Sequence, residues 1–358
     1  MDIDDEPVRG TRTLAEIYER AHMATVEPSS FEKAETHQDG SLNKLKARLV
    51  VKGFSQKYGL DYLETFALMA RLDTIRLLVA LAAQMGLKKP LYGLKHAPRA
   101  WYSRIDSYLI GLGFERSLSE PTLYVKEENG KTQLIVSVYV DDLLVTGGDQ
   151  AMLVDFKTKM HQMFEMSDLG KLTYFLGMEV TQSQAGFFLS QRTFAMRILN
   201  KFSMQNCKAT SIPVSVGERL TSLSNSEKVC KTTYKSLIGC LLYLTATRLG
   251  IMFAVSLLSR FMHCCNEDHF RAAKRVLRYI KGTLSYGMHY SKAKELRLIG
   301  YTDSDWAGSK DDLKSTSGYA FTLGSAMFCW SSKKQSIVAQ STAEAEYVAA
   351  AGAVNQAI

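Results

Sequence analysis

Two apolar, β-branched stretches, Leu134 to Val140 and Leu143 to Thr146, are separated only by Asp141 and Asp142. That composition around a two-residue polar break predicts a hairpin with both acids at its tip. No other feature limits the fold as much. A carboxylate set between buried strands is costly unless something compensates it, and two adjacent ones cost more. A divalent metal is the usual compensation: carboxylate oxygens suit Mg²⁺, which binds through one or two carboxylates plus substrate phosphates. Two such ions about 3.5–4 Å apart align a 3′-hydroxyl and stabilise a departing pyrophosphate in nucleotidyl transfer. An ordinary hairpin with a polar Asp-Asp turn is the other reading, and the residues alone leave both open.

A second strand pattern has the opposite charge. From Lys44 to Lys52 the basic side chains fall on Lys44, Lys46, Arg48 and Lys52, and the apolar ones on Leu45, Ala47, Leu49 and Val51. A period of two predicts a half-buried strand with a cationic outer face. Such a face suits phosphate, although Lys-rich edges also serve simply to discourage strand pairing. The chain as a whole is basic, with a formal net charge of +8, which favours an acidic partner such as nucleic acid. Its 358 residues allow two domains at about 150 residues each. The 6 cysteines in a chain this long read as reduced thiols rather than a disulfide framework. The acidic opening MDIDDEPVRG does not read as a signal or transit peptide. No apolar run reaches the roughly 18–20 residues of a membrane span, so an intracellular protein without a membrane partner is expected.

Along the chain, residues 1–43 read as a linker, and residues 73–85 and Trp101–Gly113 as helices. After the hairpin come a helix over Ala151–Phe164, strands over Tyr174–Thr181 and Gly186–Leu189, and a helix over Thr193–Phe202. The polar stretch 203–233 marks a boundary. Tyr234–Met262 is helical in pattern, and Phe270–Lys281 carries Arg271, Lys274, Arg278 and Lys281 on one helical face. That stripe reads as a solvated face or as a phosphate-tracking one. Strands over Leu296–Asp303, Gly318–Leu323 and Ala326–Trp330, then a helix over Ser341–Gln356, close the chain. Strands followed by a helix predict a second α/β unit.

In that unit Asp303, Asp305 and Glu346 form a second acidic group, and a strand carboxylate facing a helix carboxylate is how a metal-dependent nuclease begins its site. Helix N-termini also favour Glu for dipole reasons, and strand ends collect Asp in turns. The His263-Cys264-Cys265 cluster with His269 lacks the ligand separation of a structural zinc site.

With these residues in place the sequence resembles the Pol polyprotein of Ty1/copia-type LTR retrotransposons, in its reverse transcriptase and the ribonuclease H that follows. The motifs that carry the resemblance include Lys46-Ala47-Arg48-Leu49-Val50, Leu91-Tyr92-Gly93-Leu94-Lys95, Ala97-Pro98-Arg99-Ala100-Trp101-Tyr102 and Tyr139-Val140-Asp141-Asp142. Further on come Phe175-Leu176-Gly177-Met178-Glu179-Val180, Leu242-Tyr243-Leu244, Asp303-Ser304-Asp305-Trp306-Ala307-Gly308 and Ala345-Glu346-Tyr347. The resemblance implies an α+β chain: a palm and fingers-like polymerase domain over 44–202, a linker over 203–233, a helical connection over 234–295, and a truncated ribonuclease H-like α/β unit over 296–358. It makes Asp141 and Asp142 the catalytic, metal-binding pair of the palm, and Asp303 and Glu346 the corresponding acids of the ribonuclease H site. Lys46, Arg48, Tyr92, Gly93 and Lys95 would bind the incoming nucleotide, and Phe175, Leu176 and Gly177 would grip the primer. The implied cofactor is Mg²⁺ or Mn²⁺. The implied partners are an RNA template, a DNA primer, an RNA–DNA hybrid and deoxynucleoside triphosphates, met in the cytoplasm or nucleus.

The departures from the family pattern are as informative. The family places a strand with an Asp-Val-Lys-x-Ala-Phe pattern, source of the third palm carboxylate, before the Leu-Tyr-Gly-Leu-Lys motif. Here Met85-Gly86-Leu87-Lys88-Lys89 runs straight into Pro90-Leu91-Tyr92, and no Asp or Glu occurs from Thr74 to Ile105. The chain also stops at Ile358, before the family's third ribonuclease H acid. An internally deleted, catalytically impaired polymerase copy is therefore expected. The alternatives are a non-enzymatic nucleic-acid-binding remnant and an intact enzyme misread by a faulty gene model.

Overall fold

The computed structural model describes residues 73, 76–77, 97–128, 130–140, 142–147, 150–293 and 295–357. The predicted strand over 44–52, most of the helix over 73–85, and Lys46, Arg48, Tyr92, Gly93, Lys95 and Asp141 lie outside these residues. What is described mixes helices with antiparallel sheets in two compact units, so the α+β class holds.

The first unit runs to Asp168. Helix α1 (Ala97–Gly111) precedes strands β1 (Glu115–Arg116), β2 (Leu123–Glu128), β3 (Lys131–Tyr139) and β4 (Asp142–Gly147), which form one sheet in that order, and helix α2 (Gln150–Met163) follows. The predicted hairpin is β3–β4. Its apolar runs are buried for the expected reason: Leu134, Val136 and Val138 alternate into the core, and Leu143, Leu144 and Val145 are covered on both faces. They pack with Ile105 and Leu109 of α1 and with Leu153, Phe156 and Met160 of α2. Strands β1 and β2 were not expected, because LYVKEE is apolar only in its first half. Tyr124 anchors β2. Its buried hydroxyl donates to Asp106 Oδ1 at 2.7 Å, and burial together with that carboxylate pushes the phenol pKa well up.

The second unit takes in the residues from Leu169 onward, with Asp73, Arg76, Leu77 and the end of β4, Thr146 and Gly147. Strands β5 (Tyr174–Phe175), β6 (Met178–Ser183) and β7 (Gly186–Ser190) form a meander that β8 (Met288–Tyr290) completes after the intervening helices. The expected single strand over 174–181 is thus two strands. Leu176 and Gly177, at φ 48° and 76°, make the two-residue turn between them. Glu179 accepts from the Thr193 amide at 2.7 Å and so caps helix α3 (Arg192–Lys201).

The predicted helix over 234–262 also breaks, into α4 (Lys231–Leu244), a 3₁₀ turn (Leu249–Ile251) and α5 (Met252–Ser259). At the break Arg248 turns inward and donates to Thr283 O at 2.6 Å and Leu284 O at 3.3 Å, beside a buried Thr247–Gln191 hydrogen bond. Helix α6 (Glu267–Gly282) buries Ala273, Val276, Leu277 and Ile280 against α4 and α5, as its stripe predicted.

Strands β9 (Leu298–Ser304), β10 (Thr316–Leu323) and β11 (Ala326–Lys334) form an antiparallel sheet in the order β11-β10-β9, and helix α7 (Thr342–Ala357) packs on β9 and β10. Arg76 is buried against this sheet. Its guanidinium lies 3.9 Å over the Trp330 ring, donates to Phe328 O and Ala246 O, and pairs with Asp73. Among the described residues no helix is long and apolar enough to cross a membrane.

Candidate active site

The acidic hairpin is built by its flanks. Asp142 opens β4 half-buried, directly before the buried run Leu143–Thr146. Val140 stands at φ 55°, a region a β-branched side chain rarely enters, so the turn is held there by the ladder on either side. Strain of this kind at an acidic tip fixes where the first residue of β4 points.

Of the second pair of acids, Glu346 reaches the sheet edge beside Asp303 but contacts Ser304, not Asp303. Among the described residues strand β9 has a neighbour on one side only, and Glu346 Oε1 accepts the Ser304 amide at 3.3 Å. Helix α7 thereby brings Glu346 to the residue after Asp303. In the register Gly300, Thr302 and Ser304 face Phe321, Tyr319 and Ser317, whose aromatic members pack toward α7. Asp303 alternates to the other face and lines an open cleft with Tyr301, Gly318 and Met252.

Asp305 has a different task. Its Oδ1 accepts the Thr316 amide at 2.5 Å, and a Cβ at Gly308 would come within 2.1 Å of its Oδ2. With Ala307 at φ 50° and the Trp306 indole donating to Ala339 O at 3.0 Å, Asp305 helps to build the turn.

Phe175 is buried, and the turn after it rests on α4. The Tyr243 hydroxyl donates to Leu176 O at 2.5 Å, and a Cβ at Gly177 would fall 1.6 Å from that oxygen. Tyr243 is held in turn by an edge-on Phe194 ring at 4.7 Å. Leu242-Tyr243-Leu244 was a recognisable motif without a role. The signal that could have exposed one was Gly177, a residue that reports close approach as readily as a turn.

His269 is no ligand. Its Nδ1 accepts the Asn266 amide at 3.2 Å while Asn266 Oδ1 accepts the His269 amide, a capping box at the start of α6, and its ring stacks on Phe261. Burial lowers its pKa. On α6, Arg271 is tied to Asp268 at 2.6 Å, while Lys274, Arg278 and Lys281 stand half-buried along the helix.

As a test of metal binding, the donors fall short. Among the described residues no three of His, Cys, Asp and Glu gather into a group that would hold an ion. Asp142 and the Asp303–Glu346 pair supply hard oxygen donors of the right chemistry, but no complete cage, and no reaction step follows through an ion from them.

The family profile described as reverse transcriptase (RNA-dependent DNA polymerase) matches residues 29–87 and 84–216, two segments that meet at 84–87. The chain is 38% identical over 351 residues to the retrovirus-related Pol polyprotein from transposon RE1 of Arabidopsis thaliana, covering 87% of this chain and 24% of that protein. It is 34% identical to the Pol polyprotein from transposon TNT 1-94 of Nicotiana tabacum, covering 87% of this chain and 27% of that protein. An uncharacterised mitochondrial protein of Arabidopsis thaliana is 38% identical, over 60% of this chain and 89% of its own length. The chain spans about a quarter of the length of the two transposon relatives.

Proposed function

The chain belongs to the reverse transcriptase family of copia-type retrotransposon Pol polyproteins, and from that premise we propose that it is a Pol fragment descended from an RNA-directed DNA polymerase and its ribonuclease H, with the polymerase activity lost. The observation that carries this reading is the acid-free stretch from Thr74 to Ile105. Its partner observation is that the family match breaks within that stretch, at 84–87.

Polymerase chemistry with two Mg²⁺ or Mn²⁺ ions needs carboxylates from separate strands to hold both ions at a fixed spacing. When bound, the ions supply the nucleophile's activation and the neutralisation of phosphate charge. Asp141 and Asp142 would hold them with no third acid from the deleted strand. Removing one donor from such a cooperative site costs orders of magnitude in rate, since transition-state charge is left unbalanced. The remaining residues keep binding roles: Lys46, Arg48, Tyr92, Gly93 and Lys95 toward a nucleotide, Phe175, Leu176 and Gly177 toward a primer, and Asp303 with Glu346 toward the scissile strand of an RNA–DNA hybrid. Such work belongs to the cytoplasm or nucleus.

The test is primer extension on primed poly(rA) with dTTP and Mg²⁺ or Mn²⁺. The expected outcome is no extension above an Asp141→Asn control. Extension that this substitution abolishes would refute the loss of activity.

A second reading, a non-enzymatic nucleic-acid binder, draws on Lys44, Lys46, Arg48 and Lys52 of the sequence and on the Arg271–Lys281 stretch of α6, where Lys274, Arg278 and Lys281 are half-buried. It requires affinity that falls steeply with salt and survives loss of Asp141. A gene-model error is settled separately by the genomic DNA between the codons for Gly86 and Leu87, where an in-frame strand-coding segment would restore a complete enzyme.

A further inference from the structure

We propose that Tyr243 is a positioning residue for the primer-contacting turn, holding Leu176 and Gly177 in place from the last turn of α4. The inference rests on the reading of Phe175-Leu176-Gly177 as a primer contact and adds to it the group that sets the turn's position.

The geometry is specific. A two-residue turn with both residues at positive φ is stiff only if something outside the hairpin holds it, because β5 contributes just Tyr174 and Phe175 to the ladder. The external hold is the Tyr243 phenol. It donates to Leu176 O at 2.5 Å and occupies the space where any side chain at position 177 would begin. The phenol is fixed from behind by Phe194, and its own backbone carbonyl accepts from Gln191 Nε2 at 3.2 Å, with Gln191 Oε1 bonded to Thr247.

The same end of α4 carries a second load two residues on. Thr245 O accepts the Trp330 indole of β11 at 3.2 Å, and Ala246 O accepts from Arg76. Residues 243–246 therefore bear on the turn at one side and on the β9–β11 sheet at the other, within one compact unit. A duplex that touched both would have its spacing between them set by this short block.

The experiment is fluorescence anisotropy of the full chain with two RNA–DNA hybrids, one with a recessed primer 3′ end and one blunt, compared for wild type, Tyr243→Phe and Gly177→Ala. Loss of one hydrogen bond at the turn predicts a fall of about 3- to 10-fold in the preference of Tyr243→Phe for the recessed end, with affinity for the blunt hybrid unchanged. A general structural lesion would lower both affinities together, and that result overturns the proposal. Gly177→Ala should reduce the same preference. The double variant should be no worse than Gly177→Ala alone, because both changes disturb one contact. Should Tyr243→Phe keep the wild-type preference and the wild-type exchange protection of the Leu176 and Gly177 amides, Tyr243 does not position the turn. Were wild type itself to show no preference for the recessed end, the primer reading would fail and take the proposal with it.

Discussion

His269 carries its proton on Nε2, because Nδ1 is committed to accepting the Asn266 amide. Protonating Nδ1 would set two donors against each other and place a charge in a ring with no exposed surface. Burial accordingly lowers the folded pKa, against the opposing pull of Asp268 and Asp311. A histidine whose folded pKa lies below its unfolded one contributes stability that is full above the unfolded value, near 6.5, and is lost as pH falls below it. Protection factors at the first turn of α6, with the intrinsic pH dependence of amide exchange divided out, should therefore fall between about pH 7 and pH 5. His269→Gln, which keeps a capping-box side chain without a titrating group, should flatten that dependence. An equal fall in protection in the variant would locate the acid sensitivity elsewhere.

Single residues also show what a motif can and cannot disclose. Asp303-Ser304-Asp305-Trp306-Ala307-Gly308 reads as a string of candidate acids. Both Asp303 and Asp305 line the cleft, and only the hydrogen bond from the Thr316 amide and the close fit of Gly308 show that Asp305 also builds the turn. Tyr243 was visible as a letter in a motif but not as a contact, since its partner lies 67 residues away in sequence.

At the level of elements, periodicity was a good guide where one face is buried and the other wet. The β3–β4 hairpin and the α6 stripe follow the residues directly. It failed where the chain bends without changing composition. The turn inside 174–181 contains an ordinary leucine at positive φ, and the break after α4 falls in the short polar stretch Thr245–Arg248 within a longer apolar region, where a buried Arg248 is tied to Thr283. Strand β9 raises a separate consequence. It is an edge strand whose Leu298, Ile299 and Tyr301 are exposed, a pattern that invites strand pairing between molecules. Ile299→Lys should shift the protein from aggregate toward monomer in size-exclusion chromatography with the circular dichroism spectrum unchanged. An unaltered elution profile would mean that this edge does not drive association.

Over the whole molecule, α+β class and family membership were both legible, because many short motifs recur in order along the chain. The grouping into two compact units was less so. It places Arg76 with the β9–β11 sheet, through its contact with Trp330, and no local pattern at Asp73–Leu77 announces that partner. The site acids lie on separate elements: Asp142 on a hairpin, Asp303 on an edge strand and Glu346 on a helix. No three ligand-type side chains converge among the described residues.

The proposed loss of activity rests on a strand missing between Gly86 and Leu87, and that proposal can be tested by restoring it. A strand with the family's Asp-Val-Lys-x-Ala-Phe pattern would be inserted between Gly86 and Leu87, and primer extension compared with the unmodified chain in Mg²⁺. A lost carboxylate predicts extension by the chimera that Asp142→Asn abolishes, beside none from the unmodified chain. Equal extension by both proteins would contradict it.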